Sequence, residues 1–399
     1  MRVKLKDIGT IITGKTPSTK NKEFWDGNVC FITIEDMNDN LFISNTKRKI
    51  TDTGLKSLGN NTISGTSILV NCVGNIGAVG ITQLTCATNQ QINSITNIKD
   101  ICNPLFLYYK LQTMQKAFEK AAGQTILKIL PKTVFENIEI DLPDRKIQDK
   151  IAEILLGIDE QINRNNEIVK RLQVLGNTIY SRWFNQFEFP NEKGLPYKSS
   201  GGKMVWNEKL KREIPEGWDV KEFCGNNGIC HFCKGKIPQK LYNGKSDGYD
   251  KYLTLDAISN INVQYCEMKD MPYCDGYTIM VMDGAASGDV YVQKYGVIGS
   301  TFAMLVPNNI HQNLSNFIYL YLSANKPFYI KANTGSTIPH ANRKFIEKMN
   351  VLIPNNFKLF LNTINPIFEQ IYHMESTTCE LNQLKCQLLP LLINGQLKV

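Results

Sequence analysis

The chain has 399 residues, 42% hydrophobic and 21% charged, with a formal net charge of +8 and a sequence pI near 8.8. That length holds two or three domains with full cores, and the composition excludes a disordered chain. The opening Met1-Arg2-Val3-Lys4-Leu5-Lys6-Asp7 lacks a signal-type apolar run and no later stretch has the length of a membrane span, so no membrane role and a cytoplasmic location are expected. Eleven cysteines are then expected as reduced thiols. The modest positive excess favours a polyanion partner.

Residues Lys4 to Pro143 read as a mixed α and β unit. Val29-Cys30-Phe31-Ile32-Thr33-Ile34 and Ser67-Ile68-Leu69-Val70 have strand character, and Pro104 to Phe118 has helical spacing. Glycine-rich turns lie between, at Gly74 to Gly80 and Gly123-Gln124-Thr125-Ile126.

From Asp144 to about Phe184 the pattern changes. Ile147, Ile151, Ile154, Ile158, Gln161, Asn165, Ile168, Leu172, Leu175 and Ile179 follow one another in alternating steps of four and three, which predicts a long helix with a heptad seam. Such a helix would span roughly 60 Å at 1.5 Å per residue. Next comes an irregular, Pro-, Gly- and Ser-rich stretch from Phe189 to Gly202, which reads as a linker or surface loop.

The second half repeats the first. Gly14-Lys15-Thr16-Pro17 returns as Gly235-Lys236-Ile237-Pro238 (235 − 14 = 221), and Gly123-Gln124-Thr125-Ile126 returns as Gly335-Ser336-Thr337-Ile338 (335 − 123 = 212). The seam also returns (367 − 158 = 209), as Phe360, Thr363, Ile367, Gln370, Met374, Thr377, Leu381, Leu384 and Leu388. Gln161 and Gln370 occupy matching positions, where a buried polar residue would fix register between two paired helices.

Possible chemistry in the chain is thin. Cys224, Cys230, His231 and Cys233 lack the second C-x2-C of a closed zinc site, and no metal is expected. Asn103-Pro104-Leu105-Phe106 and Asn365-Pro366-Ile367-Phe368 resemble the Asn/Asp-Pro-Pro-aromatic motif of adenine methyltransferases but lack its second Pro. Both read as helix starts with an Asn cap. The four histidines, His231, His311, His340 and His373, are scattered, so no catalytic or cofactor-binding residues are assigned.

Leu142-Pro143, then Ile147-Gln148-Asp149-Lys150-Ile151-Ala152-Glu153-Ile154-Leu155, and the closing Trp183-Phe184 resemble the spacer helix of the DNA specificity subunit of type I restriction–modification systems. Ser200-Gly201-Gly202, Glu213-Ile214-Pro215-Glu216-Gly217-Trp218, the paired Gly-x-Thr-Ile turns and Leu388-Leu389-Pro390 with Asn394-Gly395 extend the resemblance over the chain. Two departures are the abrupt start at Lys4-Leu5-Lys6-Asp7-Ile8-Gly9 and the poorer second seam.

The resemblance implies an α+β fold of two similar mixed α/β target-recognition domains, separated by two long helices that pair as an antiparallel coiled coil with pseudo-two-fold symmetry. The expected divisions are 1–143, first domain; 144–188, central helix; 189–213, linker; 214–355, second domain; 356–399, C-terminal helix. It implies a non-catalytic subunit that reads a split site in double-stranded DNA. Two modification subunits, which carry S-adenosylmethionine and the adenine methyltransferase chemistry, would dock on the helices, and motor-nuclease restriction subunits would join for cleavage. The alternatives are a self-sufficient DNA methyltransferase and a coiled-coil scaffold of such a system; a DNA mimic should be acidic.

DNA would be read from loops, where Lys, Arg, Asn, Gln and hydroxyl side chains match phosphates and base edges. The candidates are Lys15, Thr16, Ser18, Lys20, Asn75, Gln90, Gln91 and Lys128 in the first domain. In the second they are Lys236, Gln239, Lys240, Ser287, Lys294, Ser336, Thr337, His340 and Arg343.

Overall fold

The computed structural model describes residues 1–37, 41–123, 128–225, 227–309, 313–335 and 337–398. The chain divides into two units: Met1–Asn163 with Glu380–Val399, and Arg164–Cys379. The main helices are α1 (Pro104–Gln112), α2 (Arg145–Tyr180), α3 (Ser315–Tyr329) and α4 (Phe357–Ile393). Both long helices contribute to both units.

In the first unit eight strands, β1 (Thr10–Thr13), β2 (Trp25–Ile32), β3 (Arg48–Ile50), β4 (Thr62–Ile63), β5 (Ser67–Asn71), β6 (Val79–Thr82), β7 (Cys86–Thr88) and β8 (Ile92–Thr96), form two four-stranded sheets. Their orders are β1-β8-β5-β6 and β3-β2-β7-β4. Pairing is antiparallel except β2 with β7, where Phe31 lies opposite Ala87. Strands β5 and β8 are buried at every residue, which explains why they lack the polar alternation of a half-exposed strand. Asn103 caps α1, its side-chain oxygen accepting from the Leu105 and Phe106 amides at 2.8 and 3.1 Å, with Pro104 in the first turn. The expected helix to Phe118 is broken at Thr113-Met114, and a separate helix covers Gln115–Ala121.

The second unit repeats this wiring. Strands β9 (Cys230–Lys234), β10 (Tyr249–Leu253), β11 (Tyr265–Glu267), β12 (Tyr273–Asp275), β13 (Thr278–Val281), β14 (Val290–Tyr291), β15 (Tyr295–Ile298) and β16 (Phe302–Pro307) make sheets ordered β9-β16-β13-β14 and β11-β10-β15-β12. Again one pair is parallel, β10 with β15, placing Tyr252 opposite Val297. In each unit a short antiparallel pair, Arg2–Lys4 with Glu139–Asp141 or Asp219–Glu222 with Asn350–Ile353, joins the first strand of the repeat to the segment entering the long helix. The duplication is therefore one of topology as well as of motifs.

The stretch expected as an irregular linker is packed. Met204–Asn207 and Arg212–Pro215 form a hairpin. Phe189 stacks on Tyr197 at 4.6 Å and meets Trp183 and Trp218 at 5.4 and 5.0 Å. Aromatic burial outweighs the Pro and Gly signal there.

The helices pair, but one residue away from the expected seam. On α2 the inward stripe is Gln148, Ala152, Leu155, Asp159, Ile162, Val169, Gln173, Gly176 and Tyr180. Of the expected seam, Ile151, Asn165 and Phe360 are buried, and Ile158, Leu172, Ile179, Ile367, Met374, Thr377, Leu381 and Leu388 are half-buried. Ile147, Ile154, Gln161, Ile168, Leu175, Thr363, Gln370 and Leu384 are exposed. One residue turns a helix face by about 100°. The phase is set by polar groups that find partners inside: Gln148 accepts from the Asn103 amide at 2.8 Å and donates to the Ile101 and Pro143 carbonyls.

The residue that supplies polar register is Asp159, in place of the expected Gln161. Within the first unit its carboxylate accepts from the Tyr109 hydroxyl at 2.7 Å and from Lys385 Nζ at 2.6 Å. Burial, then the Asp159 charge, hold the Tyr109 phenol well above its usual range, so it stays a donor. The corresponding positions in the second unit (368 − 159 = 209; 385 − 176 = 209; 320 − 109 = 211) are Phe368, Gly176 and Leu320. There a Cβ on Gly176 would lie 3.4 Å from the Phe368 ring and 4.0 Å from Leu320. A polar triad in one unit is matched by an apolar one in the other. Partner positions fall along α4 as they rise along α2 and the helical turn Ser181–Asn185 that continues it, from Gly176 with Phe368 to Trp183 with Phe360, so the pairing is antiparallel in the second unit.

Asn365-Pro366 is not a helix start. It lies inside α4, where the Asn365 side chain accepts from Asn316 at 2.9 Å and donates to the Asn313 carbonyl at 3.2 Å. No helix among the described residues is long and apolar enough to cross a membrane.

Candidate nucleic-acid interface

In the first unit the loops after β1, between β5 and β6, and between β7 and β8 converge with the segment Lys128–Leu130. The Gly14 amide donates to the Ile92 carbonyl at 3.0 Å, and a Cβ on Gly14 would fall 2.1 Å from the Asn89 carbonyl oxygen. Gly14 is thus required by close backbone approach. That approach brings Thr16 to Gln90, whose side-chain oxygen accepts from the threonine hydroxyl at 2.7 Å. The Cys72 amide donates to Gln91 O, Leu130 N to Cys72 O, and Gly74 N to Lys128 O. Lys15, Thr16, Asn75, Gln90, Gln91 and Lys128 are thereby collected on one corner, with all but the half-buried Thr16 and Gln91 exposed. Ser18 and Lys20 lie further along the first loop, where the Ser18 carbonyl accepts from the Trp25 indole at 3.2 Å.

The second unit builds the same corner with the same backbone bonds. Gly235 N donates to Phe302 O, and a Cβ there would sit 2.0 Å from the Gly299 carbonyl oxygen. Met282 N donates to Thr301 O, Ala341 N to Met282 O, and Gly284 N to Pro339 O. Lys236, Gln239, Lys240, Thr337, His340 and Arg343 are exposed around it. Lys236 Nζ donates to the Asp270 carbonyl, Lys240 sits 5.0 Å over the Tyr242 ring, and Arg343 pairs with Glu347 at 2.6 Å. His340 Nδ1 lies 2.7 Å from Asp283 Oδ1. Behind the loop, burial pushes the Tyr252 phenol up, and it donates to the Lys236 carbonyl at 3.4 Å.

Two expected readers lie elsewhere. Ser287 is buried in its turn, bonded to the Asn333 amide at 3.0 Å, and Lys294 is committed to Glu375 of α4 at 2.6 Å. Ser336, the turn residues Gln124-Thr125-Ile126 and His311 fall outside the described residues. Ser300 and Thr301, which occupy the place of Gln90 and Gln91, escape the sequence reading because only the backbone bond recurs (301 − 91 = 210). Extending the repeat offset through β8 would have found them.

The cysteine cluster is divided by strand alternation. Cys230 and Phe232 face one core and Cys233 the other, while His231 Nδ1 engages Asn308 at 2.8 Å. Cys224 and Cys230 Sγ are 3.4 Å apart and buried.

Replacing Gly235 by Ala is expected to force the Gly299 backbone aside at a cost of about 1–3 kcal/mol. Urea denaturation followed by tryptophan fluorescence measures it; an unchanged midpoint would show that the approach is not obligatory.

Relatives share this architecture. A family model described as the type I restriction modification DNA specificity domain matches residues 1–174 and 215–359. The type I restriction enzyme MjaIX specificity subunit of Methanocaldococcus jannaschii is 26% identical over 419 aligned positions, covering 99% of this chain and 93% of that one. The HindI specificity subunit of Haemophilus influenzae is 35% identical over 183 positions, 45% of this chain and 40% of its own. The crystal structure of the S subunit from M. genitalium superposes with a TM-score of 0.63 at 15% identity, covering 98% of this chain and 95% of that one, which is a likeness of fold. With two matched segments taking in both corners, the chain belongs to the type I restriction–modification DNA specificity family and is a specificity subunit.

Proposed function

We propose that each corner reads one half of a bipartite site in double-stranded DNA, and that the chain itself is not catalytic. The observation that carries this is the duplicated corner, built twice from the same backbone bonds but lined with different side chains. Constant backbone with variable side chains is what two readers of unlike half-sites need. Exposed lysines at each corner supply phosphate contacts.

The methyl-transfer chemistry and its S-adenosylmethionine belong to modification subunits, of which two bind, and motor-nuclease subunits complete the restriction complex. The exposed Ile147 and Ile154, seven apart on α2 in the first unit, and Ile168 and Leu175, seven apart on α2 in the second, supply each unit with apolar side chains for a modification subunit to cover.

Mapping adenine methylation in cells with the modification partner, with and without this chain, tests the reading. Methylation confined to one split motif, and dependent on the chain, is expected. Methyl transfer by the purified chain alone would favour the self-sufficient methyltransferase instead.

A further inference from the structure

Ile237 is 77% exposed, more than any other large apolar side chain among the described residues. Single apolar residues on a surface are common and need no explanation. What sets this one apart is that its backbone is pinned. Gly235 and Lys236 donate their amides to Phe302 and Ile298, Lys236 Nζ is held by the Asp270 carbonyl, and Pro238 fixes the next φ. The side chain is held outward on the recognition corner, beside Gln239 and Lys240. It walls a cleft of about 480 Å³ shared with Tyr242 and Lys269.

The corresponding residue in the first unit is Thr16, a hydroxyl tied to Gln90 (237 − 16 = 221). At one position, then, the first corner presents a hydrogen-bonding pair and the second an apolar group. The major groove offers one apolar feature that distinguishes bases, the 5-methyl group of thymine.

We propose that Ile237 is a specificity-determining residue that packs against a thymine 5-methyl group in the half-site read by the second unit. The proposal rests on the DNA-reading role of the corner. It requires no rearrangement of the loop, since the side chain already stands exposed on a braced backbone.

The test uses the full chain with its modification partner and duplexes carrying the mapped motif, with each thymine of that half replaced singly by deoxyuridine, which lacks only the methyl. One replacement is expected to weaken wild-type binding about fourfold, the worth of one buried methyl. Ile237→Ala should bind the thymine duplex more weakly by a similar factor and be indifferent to deoxyuridine at that position, with Ile237→Val intermediate. Deoxyuridine in the other half should affect wild type and variant equally. The proposal is overturned if Ile237→Ala still separates thymine from deoxyuridine as wild type does, or if wild type is indifferent to every replacement. If neither protein prefers the motif to a scrambled duplex, it is the DNA-reading role that fails.

Discussion

Exchanging Lys4–Pro143 for the first domain of another family member is expected to rewrite one half of the methylated motif and leave the other half unchanged. The loop corner proposed as reader in the first unit is held by bonds made inside that unit, from Gly14 to Ile92 and from Leu130 to Cys72. Its core, from Leu5 through Phe106 to Leu142, is likewise its own, closed by the start of α2 and the end of α4. An incoming domain that keeps the Asn103 amide and the Ile101 and Pro143 carbonyls in place for Gln148 of α2 therefore brings its own loops intact. Sequencing methylated adenines in cells carrying the chimera gives the answer, and a change in both halves would refute independent reading.

Lys385→Ala should be the most damaging single substitution on the helix pair, lowering stability by about 3–5 kcal/mol because it strands a buried carboxylate. Asp159 and Lys385 side chains are only 11% and 18% exposed, and Tyr109 can satisfy one carboxylate oxygen but supplies no charge. The second unit shows what an uncharged solution looks like. Tyr109→Leu, Asp159→Phe and Lys385→Gly together copy Leu320, Phe368 and Gly176, and this triple variant should recover most of the loss, less about 1 kcal/mol for a helical glycine. Urea titration of the three proteins decides it. A loss below about 1 kcal/mol for Lys385→Ala would mean that the pair is solvated like a surface salt bridge.

The architecture was legible because repeats and heptads are local patterns. The Gly-Lys-x-Pro repeat takes the same backbone geometry in both units, although its cause, a backbone oxygen close to where a Cβ would stand at Gly14 and Gly235, exists only in three dimensions. Heptad periodicity gives a period without fixing its phase. Ile and Leu at the expected seam were the natural choice, yet the inward stripe carries Asp159, whose partner Lys385 lies at the other end of the chain. Ser287 and Lys294 looked like loop readers because nothing local announces that Asn333 and Glu375 will claim them. Asn365 likewise carried a cap signature that its bonds to Asn316 and Asn313, inside α4, override.

The triad of Tyr109, Asp159 and Lys385 and its apolar counterpart also bear on ancestry. If the first half were laid antiparallel against a second copy of itself, Asp159 would meet Gly176; the second half against itself would set Lys385 on Phe368. Each arrangement buries a charge without its mate, so the two halves have become complements that are no longer copies. Cutting the chain between its halves and letting each pair with itself would therefore strand a charge in both products.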